Sequence, residues 1–265
     1  MINKLEPIIL QKKCEVADLY QRLQQEHLIA KIMQGEYEPK QIPRFKEILR
    51  ADLLTVIAEI KRKSPSKGSL ATIVNPVDLA KCYIAGGASA ISILTDQTFF
   101  SGHLNDLIAV TEITHQQNIP VLRKDFIIDK IQIAEAAVAG ASAILLIVAV
   151  LGKKMQALLE FARSIHLDVL VEIHDHAELQ IALDCGAEII GVNNRNLKTF
   201  AVDTQQALQL VAAIPDNILK VAESGITDPL LAREYDAAGF DAVLIGESLV
   251  KSANPESFIQ ACRYD

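Results

Sequence analysis

The sequence predicts an α/β protein, a (β/α)8 barrel with an amino-terminal helical extension. Eight short apolar runs rich in β-branched residues alternate with helical stretches, and this alternation implies parallel strands. A weak repeat places a glycine before every second run, which suits a closed barrel whose odd and even strands fill alternate inner layers. We expect residues 1–55 to form the extension, packed on the barrel of residues 56–265 within a single domain.

The extension is predicted from two segments that carry apolar side chains at helical spacing. Residues 8–23 place these side chains among Lys, Glu and Gln, and residues 45–54 form a shorter amphipathic piece after Pro43. Periodicity leaves the purpose of the helices open. They either close one end of the barrel or cover a site as a lid.

The candidate strands share a short, apolar, β-rich composition. They span residues 56–60, 90–94, 121–122 leading to Phe126, 143–148, 169–173, 189–192, 219–222 and 242–245. The strings AGGASAISIL, AGASAILLIV, CGAEIIGVN and AGFDAVLIG lead into the even-numbered strands and form the repeat. A doubly wound open sheet is the alternative fold, but it normally has a GxGxxG turn after its first strand, and KRKSPSKG does not match that turn.

Composition and charge narrow the class of protein. The chain has 265 residues, 50% of them hydrophobic, and a formal net charge of −7, which argues against a nonspecific nucleic-acid binder. The basic cluster at residues 61–67 therefore suggests a local site for a small anion. Residues 1–11 lack the apolar core of a signal peptide, and every apolar stretch is interrupted well before about 18 residues, so we expect a soluble protein with no membrane partner.

Neither a disulfide framework nor a metal site is predicted. The four cysteines are far apart and form no CxxC pair, so we expect reduced thiols in the cytoplasm; they are Cys14, Cys82, Cys185 and Cys262. His174 and His176 flank Asp175 in an HxH arrangement. Alternate residues at a helix start seldom face one another and no third ligand is near in sequence, so we expect no metal.

Polar side chains follow nearly every apolar run at its carboxyl end, where barrels of this class build their active sites. These residues are Glu59, Lys61, Arg123, Lys124, Asp125, Glu172, Asn193, Asn194, Arg195, Glu223, Ser224, Gly225, Gly246, Glu247 and Ser248. If they converge, two lysines and three carboxylates share one partly desolvated pocket, in which their pKa values are pulled apart. Taken singly, each is more simply a rim residue or a helix cap, and the two asparagines suit an ordinary turn.

The last two strand ends predict a phosphate site. Ser224 and Gly225 follow strand seven, and Gly246 and Glu247 follow strand eight, where such barrels often bind phosphate. Backbone N–H groups at a helix start suit a phosphate dianion. The Glu247 side chain would repel phosphate, so we expect it to face away; the alternative is that the glycines only permit tight turns.

The strand-end strings resemble those of one family. IAEIKRKSPSKG, ISILTD with FFSG, LRKDFI, LVEIHD, GVNNRNLKTF, VAESGI and LIGESL are similar, in this order, to the motifs of indole-3-glycerol phosphate synthase. The resemblance spans about residues 56–250, and the amino-terminal ILQKKCEV resembles the family's additional helical segment. It implies a barrel filling the chain, without the isomerase domain to which this family is sometimes fused.

The resemblance implies a decarboxylating ring closure on a phosphorylated ketose that carries an o-carboxyanilino group. It implies Lys124 as general acid, Glu172 as general base, Lys61 as carboxylate holder that assists proton transfer, Glu59 and Asn193 as orienting groups, and Glu223 as the residue that completes the network. It implies substrate contacts from Ser64, Pro65 and Arg195, and phosphate contacts from Ser224, Gly225, Gly246 and Glu247. Phe126 either walls an apolar ligand or fills core. No cofactor and no obligate protein partner are expected.

Two other functions remain open at this point. Another phosphate-binding barrel of the same pathway, such as a phosphoribosylanthranilate isomerase or an indole-releasing lyase, needs an acid and a base but no second, carboxylate-binding lysine. A catalytically silent barrel would bind a metabolite or a partner. The presence of Lys61, Lys124 and Glu172 together argues against the silent barrel.

Overall fold

The computed structural model describes residues 4–39, 41–51 and 53–263, and within them eight parallel strands close into a TIM barrel. Strands one to eight are Thr55–Ile60, Ala90–Leu94, Val121–Lys124, Ala143–Ile147, Asp168–Ile173, Ile189–Asn193, Leu219–Glu223 and Ala242–Ile245. Each strand pairs with the next, and strand eight pairs with strand one to close the barrel, with Val56 opposite Val243. The predicted fold is confirmed, and every predicted strand overlaps an observed one.

Helices follow the strands in the alternation that the sequence predicts. After the extension the helices are Pro76–Ala85, Gln97–Phe100, Leu104–Thr114, Lys130–Val138, Val148–Leu151, Met155–Ser164, His176–Asp184, Gln205–Leu210, Pro229–Ala237, Glu247–Lys251 and Pro255–Arg263, with 3-10 turns at His115–Gln117, Gly152–Lys154 and Val211–Ala213. Several begin at a side-chain cap: the Asp129 carboxylate accepts from the Ile131 N–H, and the Asp228 carboxylate from the Leu230 N–H.

The glycine repeat marks the turns that lead from helices into the even-numbered strands. Gly140 and Gly239 have φ values of +88° and +95°, a left-handed conformation in which a side chain would be strained. The turn at each position lets the chain leave the helix and enter the next strand within a few residues. The repeat in the sequence therefore records a backbone requirement.

The extension contributes helices at both ends of the barrel. Its helices are Leu5–Arg22, His27–Met33 and Phe45–Ile48. The short third helix closes the amino-terminal end, where Phe45 is fully buried and the Lys46 N–H donates to the Asp168 carboxylate at 2.9 Å. The first helix lies at the opposite end, because its Lys12 pairs with Asp96 and Asp125, which follow strands two and three.

The inner core fills the barrel below the carboxyl ends of the strands. Its members include Ile57, Ala90, Leu122, Leu145, Leu170, Val221 and Leu244, all buried. Residues 1–3, 40 and 52 of the predicted extension and residues 264–265 of the predicted barrel lie outside the described residues. Among the described helices none combines the length and the apolar character that crossing a membrane requires.

Candidate active site

A cavity of about 260 Å³ opens at the carboxyl ends of the strands. It is lined by residues at the ends of strands one, three, five, six, seven and eight, together with Phe100 from the segment after strand two. The predicted site residues that line it are Glu59, Lys61, Ser64, Pro65, Lys124, Phe126, Glu172, Asn193, Arg195, Ser224, Gly225, Gly246 and Glu247. Glu223 does not line the cavity, but it is fully buried and pairs with Lys124.

The two lysines share a network with two of the carboxylates. Lys61 Nζ lies 2.6 Å from Glu59 Oε1, and Lys124 Nζ lies 3.7 Å from Glu59 Oε2. Lys124 Nζ also lies 3.0 Å from Glu223 Oε2. Glu59 therefore bridges the two ammonium groups, as expected for residues at the carboxyl ends of strands one and three of one barrel.

Burial and neighbouring charges separate the protonation states of this network. Burial lowers the pKa of Lys124, but the carboxylates of Glu223, Glu59 and Glu172 outweigh it, and the pKa is raised. Burial raises the pKa of Glu59, but both lysines outweigh it, and the pKa falls. Burial raises the pKa of Glu223 to about 7, against the opposing charge of Lys124. One carboxyl of the network thus titrates near neutral pH, whereas Glu59 stays ionised.

Two glycines leave room for the side chains of Glu59 and Glu223. A Cβ at Gly246 would overlap Glu59 Oε1, and a Cβ at Gly191 would overlap Glu223 Oε1. The strand carrying Gly191 passes close behind the site, so only a residue without a side chain fits there. Gly246 was predicted as a phosphate contact, and the structure adds this second reason for a glycine.

Glu172 projects into the cavity from strand five and is 2% exposed. His174 follows two residues later, directly after the end of the strand, and its Nε2 lies 3.6 Å from Glu172 Oε1. On the other side of the ring, His174 Nδ1 lies 3.0 Å from Glu178 Oε2. The histidine predicted not to bind metal thus lies between two carboxylates.

The two asparagines after strand six have different positions. The Asn193 side chain lines the cavity, and its Oδ1 accepts from the Arg195 N–H at 2.9 Å. The Asn194 side chain is buried, donating to Tyr235 Oη at 2.9 Å and to the Ser224 carbonyl at 3.1 Å. Asn194 therefore supports the loop after strand seven, and Asn193 faces the site.

The loop after strand one covers the mouth of the cavity as a small hairpin, in which Lys63–Ser64 pairs with Gly68–Ser69. Two contacts tie it to the other side of the mouth. Lys67 Nζ lies 2.7 Å from Glu247 Oε1, and Arg195 Nη1 donates to Ser66 Oγ at 3.3 Å. The Glu247 side chain therefore reaches across the rim to a lysine.

The loops after strands seven and eight supply backbone groups beside the network. Ser224 and Gly225 have φ values of +67° and +80°, so both adopt left-handed backbone. A left-handed conformation is uncommon for serine and often marks a functional turn. The helix Glu247–Lys251 begins directly after Gly246, and Ser248 Oγ donates to the Ile226 carbonyl at 2.6 Å, which joins the two loops.

Among residues 4–39, 41–51 and 53–263, no group of three or more His, Cys, Asp or Glu side chains could hold a metal ion.

A family model described as indole-3-glycerol phosphate synthase matches residues 5–262. The chain belongs to the indole-3-glycerol phosphate synthase family. The resemblance of the strand-end strings is confirmed. Membership makes the chain an enzyme of the carboxy-lyase type in tryptophan biosynthesis, and it sets aside the isomerase and the silent barrel.

Relatives in this family agree over most of the chain. The indole-3-glycerol phosphate synthase of Thermoanaerobacter pseudethanolicus is 43% identical over 247 residues, which cover 93% of this chain and 92% of the relative. That of Chloroherpeton thalassium is 50% identical, over 75% of this chain and 76% of the relative. That of Parafrankia sp. is 48% identical, over 80% of this chain and 78% of the relative. The first match includes the amino-terminal extension, so the extension belongs to the family pattern.

Solved structures with the same fold have little sequence in common with this family member. The 3-hexulose-6-phosphate synthase from Salmonella typhimurium has a TM-score of 0.63 at 13% identity, covering 79% of this chain and 96% of that one. A thiamine phosphate pyrophosphorylase from Pyrococcus furiosus has a TM-score of 0.60 at 16% identity, covering 81% and 95%. At such identities the likeness concerns the barrel alone.

A buried lysine, which no pattern in the sequence indicates, lies behind the site of this indole-3-glycerol phosphate synthase family member. Lys12, in the first helix, is 1% exposed, and its Nζ lies 2.9 Å from Asp96 and 2.8 Å from Asp125. Asp96 also accepts from the N–H groups of Phe99 and Phe100. The ring of Phe100 lies 6.1 Å from that of Phe126 at the cavity wall. Lys12 thus joins the extension to two loops that shape the site.

Proposed function

We propose that the described cavity converts 1-(2-carboxyphenylamino)-1-deoxyribulose 5-phosphate into indole-3-glycerol phosphate, CO2 and water. The observation that carries this proposal is the meeting of Lys61, Lys124 and Glu172 in one cavity, beside the loops after strands seven and eight. Such a substrate has a carboxylate on an aromatic ring at one end and a phosphate at the other. Two lysines, an aromatic wall and backbone N–H groups match these three parts.

Lys124 acts as the general acid during ring closure. Attack of the ring carbon on the ketone builds negative charge on the ketone oxygen, and an ammonium can donate its proton to that oxygen. The carboxylates of Glu223 and Glu59 favour the protonated lysine, as the raised pKa reflects. A positioned proton donor of this kind is typically worth roughly 10²–10⁴-fold in rate.

Glu172 acts as the general base in the dehydration that follows loss of CO2. The hydroxyl leaves as water after it takes a proton from an acid, and Glu172 removes the proton whose loss makes the new ring conjugated. Lys61 holds the substrate carboxylate and assists proton transfer. Glu59 and Asn193 orient the reacting groups, and Glu223 completes the network through Lys124.

The remaining predicted contacts hold the ends of the substrate. Ser224, Gly225, Gly246 and Glu247 bind the phosphate through backbone N–H groups, because the Glu247 carboxylate is engaged by Lys67 and Lys251. Ser64 and Pro65 contact the substrate from the hairpin, Arg195 binds at the rim, and Phe126 walls the aromatic ring.

We also propose that residues 1–55 and 56–265 form a single domain, the first part packed on the second. The buried contacts of Phe45 and Lys12 support this division. Strand one begins at Thr55, one residue before the proposed boundary. A cytoplasmic location suits the four free cysteines.

The test is formation of indole-3-glycerol phosphate from the anilino ketose phosphate, without added metal or nucleotide. We expect Lys124→Ala and Glu172→Gln each to abolish turnover while a reduced analogue of the substrate, with an alcohol in place of the ketone, still binds. Lys154→Ala, which removes an exposed lysine, serves as the control. An inactive wild-type protein would refute the proposal, and a wild-type rate in either variant would refute the role assigned to that residue.

A further inference from the structure

A row of three polar side chains leads away from the cavity through Glu172, His174 and Glu178. Glu172 is 2% exposed and the His174 side chain 13% exposed, so the first two members are shielded from solvent. Glu178 belongs to the helix His176–Asp184, which follows strand five. The row therefore connects the proposed base to the first turn of a helix.

Glu178 fixes the imidazole ring of His174. Its Oε2 accepts from the His174 backbone N–H at 2.8 Å and lies 3.0 Å from His174 Nδ1. The Glu178 N–H donates in turn to the Asp175 carboxylate at 2.8 Å, as in a helix cap. A carboxylate can only accept, so the hydrogen of this contact is on Nδ1. The ring nitrogen left to face Glu172 is Nε2.

Glu172 has different partners from the two carboxylates of the lysine network. Glu59 and Glu223 each pair with a lysine. Among the residues that the structure describes, His174 is the basic group that pairs with Glu172, at 3.6 Å. Glu172 Oε1 and His174 Nε2 are both buried, and neither has a hydrogen-bond partner within the described part of the chain. A buried carboxylate is costly unless a positive group compensates it.

We propose that His174, as an imidazolium held by Glu178, is the positioning residue that pairs with the Glu172 carboxylate and keeps it aimed at the substrate. Nδ1–H donates to Glu178, and Nε2–H donates to Glu172 once the 3.6 Å contact tightens. The imidazolium adds a third positive charge beside those of Lys61 and Lys124, next to the carboxylate that neither lysine contacts. The inference rests on the proposed function, in which Glu172 is the base.

The charges around His174 favour the imidazolium. Burial lowers the pKa of His174, but Glu178 from the following helix, Glu172 from strand five and Glu223 from strand seven outweigh burial, so the pKa is raised. The imidazolium is present below this pKa and lost above it. The rate of the chemical step should therefore decline as pH rises through the titration of His174.

The first experiment compares His174→Gln with wild type under single-turnover conditions, so that product release does not mask the chemistry. We expect the rate to fall at least about tenfold, the loss that one charge-assisted hydrogen bond typically produces. We expect affinity for the reduced analogue to stay within about twofold, since His174 does not line the cavity. His176→Gln, which removes an exposed histidine two residues away, should leave the rate unchanged.

The second experiment uses Glu178→Gln, which keeps an oxygen to accept the His174 backbone N–H but removes the negative charge. We expect the high-pH decline to move to lower pH, and nitrogen NMR of the His174 ring to report the same downward shift. The double variant should be no slower than His174→Gln alone, because both changes act through one contact. If His174 had a purely structural role, Glu178→Gln would change the stability of the protein without shifting the pH profile of the rate.

The outcomes separate the two proposals. If the wild-type protein forms no indole product, or if Glu172→Gln retains the wild-type rate, the proposed function or its base is wrong. If both of those stand and His174→Gln matches wild type in rate and pH profile, the role of His174 is refuted. Should His174→Gln fail to fold, an unchanged pH profile in Glu178→Gln refutes it equally.

Discussion

Lys12 provides a sharp test of how the amino-terminal helix is held on the barrel. Its ammonium is 1% exposed and lies within 2.9 Å of carboxylates from Glu15, Asp96 and Asp125. Asp96 and Asp125 are themselves buried, at 0% and 2% exposure. Replacing Lys12 by Met keeps most of the volume of the side chain and removes the charge, so two buried carboxylates lose their shared partner.

The expected loss is large because the carboxylates cannot reach solvent. Removing one partner of a buried ion pair typically costs 3–5 kcal/mol, and we expect about 3 kcal/mol here. The lower end applies because Asp96 keeps the N–H bonds of the following helix, and Asp125 keeps Thr95 Oγ1 at 2.6 Å and the Phe126 N–H at 2.8 Å.

Urea unfolding at pH 7 measures this loss, with Lys13→Met as control, since Lys13 is the exposed neighbour in the same helix. Burial raises the pKa of Asp125, but Lys12 and Arg123 outweigh it and the pKa is lowered. The stability that this provides is present above the unfolded pKa and lost as pH falls through the folded one. The gap between wild type and Lys12→Met should therefore narrow in acid. A variant within about 0.5 kcal/mol of wild type at pH 7, the ordinary range of surface substitutions, would refute the reasoning.

Three further predictions follow from the network. Measured by calorimetry, Lys61→Ala should weaken binding of an analogue that carries the substrate carboxylate more than binding of an analogue that lacks it. Equal losses of affinity for the two analogues would refute the contact between Lys61 and the carboxylate. Gly246→Ala should lower kcat at least about tenfold, because its methyl group displaces Glu59, and a wild-type kcat would contradict this. The pKa of Glu223 is raised to about 7 from an ordinary 4.5, so its contribution to stability is present below 4.5 and lost as pH rises through 7. Between pH 5 and 8 the free energy of unfolding of Glu223→Gln should fall less than that of wild type. If the two free energies fell in parallel with pH, the raised pKa of Glu223 would be refuted.

Features that depend on local backbone chemistry could be predicted from the sequence. The glycine before each even-numbered strand is one, because a left-handed turn at Gly140 or Gly239 excludes side chains. The convergence of Lys61, Lys124 and Glu172 is another. Once eight parallel strands are assumed, their carboxyl ends must surround one axis, so polar residues at those ends must meet.

Features that depend on distant partners could not be predicted. Lys12 and Lys13 are adjacent on an amphipathic helix, and the sequence around them does not distinguish a buried lysine from an exposed one. The partners of Lys12 are in loops after strands two and three, so only the folded barrel reveals the pairing.

His174 is an intermediate case. Asp175 with Glu178 has the spacing of a capping box, in which Glu178 would accept from the Asp175 N–H. In the structure Glu178 accepts from the His174 N–H, one residue earlier.

Two consecutive residues at the carboxyl end of strand three explain why the extension matters to a site that Lys12 does not line. Lys124 pairs with Glu223 and Glu59, whereas Asp125 pairs with Lys12 and Arg123. If the first helix moved away, Asp125 would lose the Lys12 ammonium and become an undercompensated buried anion. Asp125 also lines the cavity. The helix therefore acts on the cavity wall through charge, by keeping Asp125 paired with Lys12.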